Sequence, residues 1–151
     1  MKNNGLVLIL WADYFDEMAA TAFVTILRQM GMRVKLVSPT HNRIVGANGL
    51  VLAPDVTLDQ VIPLADQVIA VIVPGKASAV RRLDDDPRVH ELLCQIDDNH
   101  AVFVTNADAA PELVLLLGRQ GTSQAVATYT DSLAAVELAQ QLAEKLTTSA
   151  G

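Results

Sequence analysis

The chain is short of several things, and each shortage removes a class of function. It has a single cysteine, Cys94, so no intramolecular disulfide can form. One Trp, two Tyr and three Phe are too few for a platform on which bases stack. No apolar run approaches the roughly 20 residues that a membrane-crossing helix needs. Basic residues are outnumbered, 11 Lys and Arg against 17 Asp and Glu, and Arg81-Arg82 runs at once into Asp84-Asp85-Asp86. The resulting net charge of −6 repels a phosphate backbone, so nucleic acid is not an expected partner. The three histidines, His41, His90 and His100, stand apart with no metal-ligand spacing and no nucleophile beside them. Met1-Lys2-Asn3-Asn4-Gly5 leads into only a short apolar run, unlike a secretory signal, and a cytoplasmic protein is expected. Neither a cofactor nor a metal is implied.

What is present is apolar. About half of the 151 residues are hydrophobic, enough for one compact domain, residues 1–151, that buries roughly two-thirds of its unfolded surface. Gly5 to Trp11 is a near-continuous apolar run, the pattern of a strand covered on both faces of a parallel sheet. The acidic stretch Asp13 to Glu17 then leads into a helix from about Glu17 to Met30. Ala22, Ile26, Leu27 and Met30 share a face there, and Gly31 closes the helix. Val34 to Ser38 is a second strand. Ile44 to Leu52 reads as a β-hairpin around Asn48-Gly49, and Pro54 to Asp59 as the start of a short helix or turn.

Val68 to Val73 is the third core strand and stops at Pro74-Gly75. Helices follow at Ala77 to Leu83 and from Asp86-Pro87, the latter with Val89, Leu92, Leu93 and Ile96 on one face. Ala101 to Thr105 is the fourth core strand and Pro111 to Leu117 the next helix. Ala125 to Thr128 is a short edge strand, and Asp131 caps a closing helix to Leu146. Thr147 to Gly151 reads as a frayed tail. Strands alternating with helices give an α/β fold, a flavodoxin-like three-layer sandwich with a mostly parallel sheet and a small β-hairpin extension.

Ligands in such folds bind beyond the carboxyl ends of the strands, where the loops Asp13 to Glu17, Gly75-Lys76 and Asn106 to Ala109 lie. The last of these joins an apolar strand to a helix through small residues, the geometry that lifts one side chain above a sheet. The residue raised is Asp108, and a carboxylate has no thiolate chemistry.

These loops, with Arg43 to Asp55, Val71-Ile72-Val73-Pro74-Gly75 and the turn ending in Pro111, resemble the ThiJ/PfpI superfamily, a branch of the class I glutamine amidotransferase-like fold. The resemblance spans nearly the whole chain, and it implies a cysteine three residues before the proline of the turn, where Asp108 stands. It implies a supporting glutamate twelve residues before the glycine that closes the first helix; that position is Ala19, not Glu17. The family's Pro-Gly-Gly oxyanion loop reads Pro74-Gly75-Lys76, and no histidine follows His100. The ending, from Gly118 to Thr128, is shortened. In these departures the chain is similar to the carboxy-terminal domain of large-subunit catalases.

Three readings follow from the resemblance and the residues together. The first is a non-catalytic protein that acts as a homo-oligomer, most simply a dimer, as a partner-binding subunit, or through a chaperone-like surface. Trp11, Phe15, Met18 and Phe23 are then the expected contact residues, unless they are core. The second is an enzyme of altered mechanism, of hydrolase or glyoxalase type, with Asp108 as acid or base and Glu17 or Lys76 as helper. The third is a small-ligand or cation sensor, with Glu17, Lys76, Asn106 and Asp108 as binding residues and Asp13 and Asp16 as further carboxylates. For Asp108 the plain role is a helix cap that accepts from the Ala110 amide. Lys76 points to solvent or pairs with Asp108 across the mouth, and Cys94 is a small buried residue of its helix.

Overall fold

The computed structural model describes residues 5–39, 43–96, 101–119 and 126–149. His41 and His100, and most of the shortened stretch after Gly118, lie outside the described residues. The strands are β1 (Leu6–Leu10), β2 (Arg33–Ser38), β3 (Ile44–Val45), β4 (Val51–Leu52), β5 (Val56–Thr57), β6 (Val68–Val73), β7 (Val102–Asn106) and β8 (Val126–Tyr129). The helices are α1 (Glu17–Gln29), α2 (Leu58–Val61), α3 (Ala77–Asp84), α4 (Pro87–Ile96), α5 (Ala110–Arg119) and α6 (Ser132–Ser149). Six strands form one sheet in the order β5-β2-β1-β6-β7-β8, every neighbouring pair parallel. β3 and β4 make a separate antiparallel hairpin. This is the expected flavodoxin-like sandwich with its hairpin extension.

Alternation along β1 explains the layers. Leu6, Leu8 and Leu10 join Val71, Val73 and Phe103 in a cluster with residues of α2, α3, α4 and α5. Val7 and Ile9 face the other way and join Ile72 and Val104 with residues of α1 and α6. All five residues of β1 are essentially unexposed, which is why the strand reads as an unbroken apolar run. Each such Leu or Ile contributes roughly 1.5–3 kcal/mol by leaving water.

Several expectations need correction. The buried face of α1 is Ala19, Ala20, Phe23 and Leu27, whereas Met30 is half-exposed and Ala22 and Ile26 are only partly covered. Both sets have helical spacing and share Leu27, so periodicity alone could not choose between them. The short helix expected from Pro54 to Asp59 is α2, with Thr57 at its N-cap, but Val56 and Thr57 first form β5, pairing with Val37 and Ser38 of β2. Thr147 to Ser149 continue α6, with the Thr147 hydroxyl donating to the Ala143 carbonyl. Cys94 is exposed, because α4 turns Leu92, Leu93 and Ile96 inward instead. Of the four expected contact residues, Trp11, Phe15 and Phe23 are core and only Met18 is exposed. Trp11 and Phe15 form a third cluster with Ala20 and Ile44 that seats the hairpin against α1.

Candidate functional site

The carboxyl ends of β1, β6 and β7 carry the three expected loops. Thr105 donates from Oγ1 to the Val73 carbonyl at 2.8 Å, so the ends of β6 and β7 are tied by a buried side chain as well as by the ladder. Beyond it, Asn106 Oδ1 accepts from the Asp108 amide at 2.8 Å and starts a turn of 3-10 helix over Ala107–Ala109, which leads into α5. The cap of this turn is therefore Asn106, not Asp108. The carboxylate of Asp108 does not turn back to Ala110; Oδ2 reaches across to the Ala77 amide, at the start of α3, at 3.4 Å. The 3-10 turn causes the difference, since it places Asp108 inside the helical entry, pointing out, and leaves the capping place to the strand's last residue.

Gly75 is required by packing. A Cβ on it would lie 2.6 Å from the Ala79 Cβ, and its own amide donates to the Val73 carbonyl at 3.0 Å. Lys76 is exposed and makes no ion pair with Asp108 among the described residues. Ala19, where the resemblance implies a supporting glutamate, is wholly buried among apolar side chains on the sheet side of α1.

Glu17 is the first residue of α1 and 9 % exposed. Its oxygens accept from the Asn48 amide and the Asn48 side-chain nitrogen at 2.9 Å and from the Leu50 amide at 3.0 Å. The carboxylate thus closes the hairpin turn onto α1. The Leu50 amide, opposed by burial and assisted by Asn48, holds its carboxyl below the ordinary value of 4.5. The folded chain then binds fewer protons here than the unfolded chain, so this stabilisation is complete above the ordinary value and is lost as pH falls through the lowered one. Urea titrations between pH 7 and pH 3 are expected to show Glu17→Gln less stable than wild type near neutrality. The gap should begin to narrow only near pH 4.5 and shrink further as the pH falls through the lowered value.

A cleft of about 350 Å³ opens beside this clamp, lined by Tyr14, Asp16, Glu17, Ala47, Asn48, Lys76 and Ser78. The structure therefore brings Glu17 and Lys76 to one cavity and leaves Asn106 and Asp108 in the adjacent turn. Sequence reasoning missed Tyr14, Asn48 and Ser78. Tyr14 adopts a left-handed backbone, φ 69°, held by its amide on the Val45 carbonyl at 2.7 Å, and Arg82 lies 4.8 Å over its ring. The left-handed aromatic leaves no mark in the sequence. Asp13, Asp16, Glu17 and Asp108 do not gather: among the described residues no group of three or more His, Cys, Asp or Glu is placed to hold a metal. Behind Asp16 lies Tyr129, 1 % exposed. Its hydroxyl sits beside Asp16 and Asn106 without a hydrogen bond of good geometry to either, and burial, with the Asp16 charge, pushes its pKa up.

A sequence profile of the DJ-1/PfpI family matches residues 6–141. The chain belongs to the DJ-1/PfpI family. Solved structures of DJ-1 proteins agree on the fold. DJ-1beta of Drosophila melanogaster superposes with a TM-score of 0.80 at 18% identity, over 95% of this chain and 91% of that one. An alanine-for-cysteine mutant of a DJ-1 superfamily protein of Salmonella typhimurium gives 0.76 at 19% identity, over 97% of this chain and 90% of that one. A two-domain protein of Anabaena variabilis, with DJ-1/ThiJ/PfpI-like and ferritin-like domains, gives 0.76 at 15% identity, over 93% of this chain and 49% of that one. No curated protein matches the chain. Within the DJ-1/PfpI frame, the residue at the strand-turn-helix elbow of this member is Asp108.

Proposed function

We propose that this DJ-1/PfpI protein is non-catalytic and acts by association, its partner being a second copy of itself. The observation that carries the reading is the elbow: a carboxylate stands there, spent on the first amide of α3 and absent from the lining of the neighbouring cleft. A carboxylate in that position cannot supply the thiolate attack that the family resemblance implies. The lone Cys94, exposed on α4, stands on a helix that contributes nothing to the cleft. The enzyme reading pairs Asp108 with Glu17 or Lys76 in one pocket, whereas Glu17 and Lys76 line the cleft and Asp108 does not. A kinship with the catalase carboxy-terminal domain and a cytoplasmic setting are part of the same proposal. No described helix is long and apolar enough to cross a membrane.

The surface that supports self-association is the outer face of α1. Two shallow apolar recesses flank it. One, of about 160 Å³, lies toward Trp11, Leu36 and Leu52; the other, of about 310 Å³, lies toward Met18, Ile26 and Val136. Thr21 and Thr25 line both, and among the described residues no charged side chain lines either. On a chain of net charge −6, two copies meet with least repulsion where carboxylates are missing, and a twofold interface needs one such self-complementary face. Light scattering on the eluting protein is expected to give twice the chain mass. Thr25→Glu, which suits a helix better than threonine but places a charge between the recesses, is expected to give the single-chain mass. A wild type that elutes as a monomer overturns this surface.

A further inference from the structure

The cleft beside the elbow is lined by charges of both signs, Asp16 and Glu17 against Lys76. Glu17 is satisfied by Asn48 and Leu50. Asp16 caps α1 through a long, 3.4 Å contact with the Ala19 amide, with the buried hydroxyl of Tyr129 beside it, and makes no ion pair among the described residues. Lys76, which lines the same cleft with Ser78, has no ion-pair partner among the described residues. Asp16 and Lys76 line the same cavity without pairing with each other.

We propose that the cleft binds a small zwitterion, a molecule of free amino-acid size with a primary ammonium and a carboxylate. The ammonium goes to Asp16 and the carboxylate to Lys76 and the Ser78 hydroxyl. A simple anion would satisfy Lys76 but face Asp16 and Glu17. A simple cation would satisfy Asp16 but face Lys76, with the Arg82 guanidinium close by on the Tyr14 ring. A ligand with both charges answers Asp16 and Lys76 together, through charge-assisted hydrogen bonds that are stronger than neutral ones. At about 350 Å³ the cavity is near the small end of ligand sites, which suits such a molecule and excludes a dinucleotide. The inference goes beyond the association reading and does not depend on it, because the cleft shares no lining residue with the recesses along α1.

Isothermal titration of the full chain with L-alanine, propylamine and propionate tests it. L-alanine is expected to bind, and each single-charge analogue to bind at least about tenfold more weakly. Asp16→Asn, which keeps an N-cap side chain, and Lys76→Met are each expected to weaken L-alanine at least about tenfold while the thermal midpoint stays near wild type. The proposal is overturned if L-alanine gives no binding heat with folded wild type, if propionate or propylamine binds as tightly, or if either substitution leaves the affinity unchanged. The readout is a binding heat, whereas the association reading stands or falls on the molecular mass, so the two failures cannot be confused.

Discussion

Gly46→Ala is expected to lower the stability of the chain by roughly 1–3 kcal/mol, a large change for a single methyl group at the base of a hairpin turn. The added Cβ would lie 2.4 Å from Glu17 Cγ, 2.5 Å from Cδ and 2.7 Å from Oε2. A flexible glutamate would swing away, but this one is held by the amides of Asn48 and Leu50. Nor can the turn retreat. The Gly46 amide donates to the Leu50 carbonyl at 2.8 Å, its carbonyl accepts from Gly49 at 3.1 Å, and the Ala47 amide donates to the Phe15 carbonyl at 2.9 Å. Urea denaturation of the single variants and of the Gly46→Ala, Glu17→Ala double variant measures the coupling. If the clash is the cause, Gly46→Ala should have little effect once Glu17 is truncated. An equal loss in both backgrounds would show that the turn itself, and not the carboxylate, needs glycine.

Phe103→Ala should cost more, about 3–5 kcal/mol, and Asp108→Ala far less, within about 1 kcal/mol. The contrast follows from position. Phe103 is wholly buried in the middle of the sheet, between β6 and β8, and its removal leaves a cavity among Leu, Val and Ala side chains that are fixed from both sides. A typical domain is stable by only about 5–15 kcal/mol, so this variant spends a large share of the margin. Asp108 is exposed and has one long hydrogen bond. Thermal or urea unfolding of the two variants side by side checks both values. A loss at Asp108 comparable to that at Phe103 would mean that the elbow carboxylate holds the frame together.

How much of this could be read from the sequence depended on the range of the interaction. The strands were legible because burial on both faces leaves unbroken runs such as Leu6 to Leu10. The hairpin turn was legible because Asn48-Gly49 meets a local need, Gly49 sitting at φ 91°. The two-residue strand Val56–Thr57 was not, since only its pairing with Val37 and Ser38 makes it a strand. α1 carries apolar residues on two faces, and which one meets the sheet was decided by Phe23 packing against Tyr129, with ring centroids 5.8 Å apart. At the site, the elbow and Asp108 were visible from the small residues before Pro111. Their partners were not: Ala77 is 31 residues from Asp108, and Asn48 is 31 residues from Glu17. The cap fell to Asn106 because an extra turn of 3-10 helix, invisible in a run of alanines, comes before α5.

One measurement bears most directly on the claim that this member of the family has no chemistry at its elbow. Dicarbonyl and ester substrates are followed with purified wild type and with Asp108→Ala made in parallel. The account predicts rates no higher than buffer for both proteins. Wild-type turnover that disappears in Asp108→Ala would contradict it.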